Sequence, residues 1–109
     1  MGDVFDKLAE LSALAVDICG EEAQLGQVQE EAGEVIAAIN HLKRGRIDHL
    51  RLAGEFADLF IVGTQLALIL VRHVGVDGVA KAVDEKMSRL EKRLDVEKAK
   101  ADLERHARP

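Results

Sequence analysis

At 109 residues the chain is long enough for one compact domain and too short for two independent cores. Hydrophobic residues make up 48% and charged residues 32%, a balance that argues against disorder. The net charge of −5 opposes nonspecific binding to nucleic acid, which draws on phosphate neutralisation by Lys and Arg. The single cysteine, Cys19, excludes an internal disulfide, and with three Phe, no Trp, no Tyr and one Pro, helix is the default conformation.

The acidic start MGDVFDKLAEL has no basic region ahead of an apolar run, so it does not read as a signal peptide, and a reduced, cytoplasmic protein is expected. A first helix is predicted from Asp3 to Ile18, stopping near Gly20. A second spans Glu21 to Lys43, with Leu25, Val28, Ala32, Val35, Ile36, Ile39 and Leu42 along one face and Gly45 as its stop. The third runs from Ile47 to Arg72 with Asp48 as its cap, and becomes apolar on most sides after Asp58. Its run Leu59–Val71 is short for a membrane span, contains Thr64 and Gln65, and lies between Asp58 and Arg72, so a buried core helix is expected and no membrane partner.

After Gly75 a fourth helix is predicted from about Asp77, with Val79, Val83, Met87, Leu90 and Leu94 on one stripe. The expected organisation is a helical domain over residues 1–94 and a charged helical extension or tail over 95–109. Short connections favour antiparallel neighbours, and helices this long in so short a chain favour pairing between subunits. The fold class expected is all-α, a four-helix bundle completed by homo-oligomerisation as a dimer or tetramer.

Two acidic pairs stand out, Glu31 with Glu34 on the second helix and Glu55 with Asp58 on the third, each at i, i+3. At about 100° per residue, Glu31 borders its helix's apolar face, with Glu34 and Gln27 further toward the polar side and Glu30 pointing away. Glu55 and Asp58 share an arc with Leu59, Val62, Leu66 and Ile69, so that arc is expected to be buried. An ionised carboxylate removed from water costs several kcal/mol unless a counter-charge compensates it. A hard divalent cation suits such a set, because magnesium prefers carboxylate and phosphate oxygens. The competing reading is a set of surface charges or ion pairs, with Arg51 one turn before Glu55.

The sequence EEAGE (Glu30–Glu34) followed by EFAD (Glu55–Asp58) resembles the EExxE…ExxD signature of the MazG-like nucleoside triphosphate pyrophosphatases, an all-α superfamily. The resemblance covers roughly Gln24 to Arg93 and the helix order agrees with it. It implies a magnesium-dependent enzyme, with manganese as a substitute, that cleaves a nucleoside triphosphate to a monophosphate and pyrophosphate. Carried over by position, it makes Glu31, Glu34, Glu55 and Asp58 the metal ligands and Glu30 the first acid of the motif. It further implies a basic phosphate contact in the last helix, for which VDEKMSRLEKR offers Lys86 and, two turns on, Arg93. Leu90 stands where some relatives carry an asparagine. A solvated basic face is an equal alternative for Lys86 and Arg93, and ordinary surface amides a better one than substrate binding for Gln24 and Gln27.

The four histidines, His41, His49, His73 and His106, have no shared helical spacing and are expected to be structural or exposed. Gly33, Gly54 and Gly63 each cost up to about 1 kcal/mol in a helix interior, which close helix approach would justify. Two rivals stand beside the nucleotide reading: a phosphoribosyl-ATP pyrophosphatase-like enzyme and a noncatalytic helical dimerisation module. A carboxylate di-iron protein ranks last, because no histidine follows a glutamate by three residues.

Overall fold

The computed structural model describes residues 2–108, and over these the chain is all-helical with no strand. Helix α1 is Gly2–Cys19, α2 is Glu21–Lys43 and α3 is His49–Ala107, the last interrupted by non-helical backbone at Gly75. Two compact units result, one ending at His73 and the other beginning at Val74.

In the first unit a single residue, Gly20, joins α1 to α2 at φ 89° and ψ 157°, a conformation that glycine adopts without a Cβ penalty. Glu21 and Glu22 occupy the first turn of α2, and His41 and Lys43 its last, so the charges oppose the helix dipole at both ends. The stop is a Schellman motif on Gly45 at φ 71°: the Arg46 N–H donates to the His41 carbonyl and the Gly45 N–H to the Leu42 carbonyl, both at 2.9 Å. Asp48 caps α3, its Oδ1 accepting the Arg51 backbone N–H at 2.8 Å, as expected from the sequence.

Helix α1 packs on α2. The end of α1 is tied to α3 by the Arg72–Asp17 ion pair and the start of α2 by a hydrogen bond between His73 and Glu21, each at 2.7 Å. The buried apolar side chains include Val16, Ala38, Val62 and Ile69, interleaved with buried Ser12, Gln24 and Gln65. Beside this thin core Val4, Phe5, Leu11, Phe56, Phe60 and Ile61 stay exposed, and with Leu8 they line an apolar groove between α1 and α3.

The expected burial of α3 on most sides is not met within the chain. Its most apolar stretch has a mean hydropathy of 1.8, long and apolar enough to cross a membrane, yet only 17% of it is buried. Close helix approach at Gly33, Gly54 and Gly63 is not found either, since a Cβ at any of them would meet nothing within 4 Å.

The second unit, Val74–Pro109, starts at the break the sequence predicts. Gly75 holds φ 77° and ψ 165°, backbone that only glycine occupies readily, and α3 then continues to Ala107 through the charged segment after Leu94. Val83, Met87, Leu90 and Leu94 form its apolar stripe and all are exposed.

Candidate metal centre

The α2–α3 hairpin is what assembles the site. A rigid Schellman turn followed by a side-chain cap reverses the chain within a few residues, so acids midway along α2 face acids near the start of α3. Glu31, Glu34 and Glu55 each offer a carboxylate oxygen, and these oxygens lie within 4.8 Å of one another. The three carboxylates come from two helices and meet across the hairpin.

Burial grades across the trio. Glu31 and Glu55 are half-buried and Glu34 is exposed. One oxygen of Glu31, Oε2, is fully buried and has no hydrogen-bond partner. A buried carboxylate oxygen without a donor or a counter-ion is costly, and protonation, a water or a cation relieves that cost. Burial holds the Glu31 carboxyl above its usual 4.5, helped next by the neighbouring carboxylate of Glu34, then by the charges of Asp58 and Glu30. No cation within the trio opposes that shift. Arg51 stands near Glu55, Nε to Oε1, at a loose 3.9 Å, with its own side chain 71% exposed.

Asp58 departs from the expectation of burial. It is exposed and lies outside the trio, although its charge reaches Glu31. Glu30 is exposed too, and its charge weighs least on Glu31, in keeping with its outward position on the wheel. Gln27 is exposed as expected for a surface amide, whereas Gln24 is not one: it is buried, at 7% exposure. Lys86 and Arg93 are both exposed in the second unit, where Lys86 borders a shallow apolar hollow with Val83, Met87 and Leu90.

Of the trio's neighbours the sequence singles out Arg51, one turn before Glu55, but not His41 or Ile47. A hollow of about 220 Å³ opens beside Glu34 and Glu55, and His41, Ile47 and Arg51 line it as well. His41 follows Glu34 by seven residues, two helical turns, so that spacing was the available signal for its place on the same face. The remaining histidines match expectation, all being exposed, with His73 bonded to Glu21.

The three side chains offer only anionic oxygens, one of Glu31's being buried and unpartnered, and carboxylate oxygen is the donor class that hard divalent cations prefer. Comparison with family models, with curated proteins and with solved structures gives no match to this chain, so its chemistry has to be read from its own side chains.

Proposed function

We propose that the chain is a magnesium-dependent nucleoside triphosphate pyrophosphohydrolase, cleaving a (d)NTP to the monophosphate and pyrophosphate in the cytoplasm as part of nucleotide-pool house-cleaning. The observation that carries this reading is the convergence of Glu31, Glu34 and Glu55 around an unpartnered buried oxygen of Glu31. The EExxE…ExxD spacing supports it independently, and adds Asp58 as a fourth, solvent-side ligand.

In this reading the carboxylates hold magnesium, or manganese in its place, against the triphosphate. When bound, the ion supplies charge neutralisation on the phosphate chain and lowers the cost of deprotonating water. The half-buried Glu31 and Glu55 fix the position of the cluster, while Glu34 and Glu30 are the exposed carboxylates open to receive a proton. Water adds to the α-phosphorus, the bond to the bridging oxygen breaks, and pyrophosphate leaves. Lys86 and Arg93 are the proposed phosphate contacts from the last helix.

The fold belongs to the same proposal: a four-helix bundle, with the stretch after Gly75 as fourth helix, completed by a second or further copy as homodimer or homotetramer. The exposed groove of Val4, Phe5, Phe56 and Phe60 and the sparse core support it, because ordering costs about 1–2 kcal/mol per residue and a thin core offsets little of that.

The test is a panel of nucleoside triphosphates incubated with purified protein and magnesium, following pyrophosphate and monophosphate with and without chelator. Chelator-sensitive release of both products is expected. Silence across the panel, with phosphoribosyl-ATP included, moves the chain to the noncatalytic module.

A further inference from the structure

In a chain of net charge −5, positive charge gathers at the α2–α3 turn. Lys43, Arg44, Arg46 and Arg51 lie within a few residues of one another, with Asp48 the one acid among them. Asp48 is occupied as the cap of α3, its Oδ1 bonded to the Arg51 backbone N–H. Among the described residues Lys43, Arg44 and Arg46 make no ion pair, and Arg51 has only its 3.9 Å approach to Glu55. The backbone that carries them is pinned by the two Schellman hydrogen bonds.

This basic turn borders the acidic trio. Arg51 and His41 line the same hollow as Glu34 and Glu55, so one small cavity is lined by two carboxylates together with a guanidinium and an imidazole. We propose that the α2–α3 turn is the anion-binding wall of the site, in which Arg51, backed by Arg44 and Arg46, takes the phosphate chain of a metal–polyphosphate ligand. The ligand that matches this mixed lining carries both charges, a divalent cation for the carboxylates and phosphate oxygens for the guanidinium.

Charge exchange explains why Arg51 is free to do this. Glu55 is its partner only while no cation sits on the trio, and a divalent ion there removes the attraction and repels the guanidinium. Phosphate oxygens then replace the carboxylate as its partner, in the fork geometry that arginine favours. The surrounding charges raise the local concentration of anions before contact, an effect that fades as salt rises. This assignment is separate from Lys86 and Arg93, which stand in the other unit.

The inference rests on the trio being a metal site, and the experiment separates the two. Binding of magnesium tripolyphosphate is measured by calorimetry for the wild type, Arg51→Gln, Arg44→Gln/Arg46→Gln, and the charge-matched tail variant Lys98→Gln/Lys100→Gln, alongside steady-state kinetics on the best triphosphate. Arg51→Gln is expected to weaken tripolyphosphate about tenfold and to raise KM more than it lowers kcat, with a smaller loss in the turn pair. The tail variant is expected to bind like the wild type. All the affected side chains are exposed, so melting temperatures serve as a check that folding is intact, with Arg51→Lys as the conservative partner. Tripolyphosphate affinity and KM unchanged in both turn variants, with turnover intact, overturn the anion wall and leave the pyrophosphatase standing. Turn-dependent binding with no turnover of any triphosphate does the reverse. No tripolyphosphate binding by the wild type overturns the anion wall whatever the turnover.

Discussion

Glu31 on α2 and Glu55 on α3 bring carboxylate oxygens within 4.8 Å of each other, with an oxygen of Glu34 inside the same radius. Like charges that close repel, and the repulsion grows as water is withdrawn from Glu31. In the proposed metal site that repulsion lowers apo stability and a cation relieves it, which gives the proposal a testable signature.

Replacing Glu31 by Gln should therefore act in opposite directions on activity and on apo stability. Turnover is expected to fall on the order of 100-fold or more, because a ligand is lost where charge on the phosphate chain has to be offset. The apo melting temperature is expected to rise, because a neutral amide relieves the repulsion. Glu55→Gln should follow the same pattern with a smaller rise, since it also gives up the loose contact with Arg51, an exposed pair worth at most about 1 kcal/mol. Pyrophosphate release and thermal melts followed by circular dichroism check both. A fall in apo melting temperature for Glu31→Gln would mark the trio as a structural ion-pair cluster.

Much of the fold and part of the site were legible in the sequence, and the failures have a common cause. The bounds of α2, the Asp48 cap and the break at Gly75 are local events, set by capping chemistry and backbone freedom within a few residues. The meeting of Glu31, Glu34 and Glu55 followed from spacing on two helices joined by a short turn. What escaped depends on what covers a helix from outside. A wheel gives an angle but not a neighbour, so Asp58 was expected buried and is exposed, and Gln24 was expected on the surface and is buried. For the same reason His41, ordinary along its own helix, gains significance only where the hairpin places it with Arg51 and Glu55 around one hollow.

The pH dependence of apo stability should isolate Glu31. Its carboxyl is held above 4.5 by burial first and then by Glu34, so the folded chain keeps that proton at pH values where the unfolded chain has lost it. Stability from this group is thus undiminished below 4.5 and falls as pH rises through the folded value, where the ionised form carries its full penalty. The melting temperature of Glu31→Gln minus that of the wild type is expected to be small below 4.5 and to grow as pH rises above it. Magnesium should stabilise the wild type increasingly over the same range, since protons compete for its ligand. A difference that stays flat with pH would contradict the buried, charge-crowded environment of Glu31.

The apolar groove offers a test of assembly. Phe56 and Phe60 lie with ring centroids 6.0 Å apart and planes tilted by 41°, yet remain 57% and 46% exposed. Charged side chains there should hardly disturb a chain in which this surface faces water, but should disrupt an interface. Phe60→Glu is expected to weaken self-association by about tenfold or more in sedimentation equilibrium. If the wild type sediments as a monomer at all concentrations, completion of the bundle by another copy is wrong.

Two glycines should respond to alanine with opposite signs. Gly75 sits at φ 77° and ψ 165°, where a Cβ forces strain, and Gly75→Ala is expected to cost about 1–3 kcal/mol or to shift the break between the two helical stretches. Gly33 lies inside α2, and an alanine methyl there would meet nothing within 4 Å, so Gly33→Ala keeps the backbone and removes freedom from the unfolded chain. A gain of about 0.5–1 kcal/mol is expected for it. Urea melts of the two variants against the wild type decide the matter: a loss at Gly33 would mean that another surface packs closely beside Glu34, and an unchanged Gly75→Ala would mean that the break is not held by glycine's freedom at all.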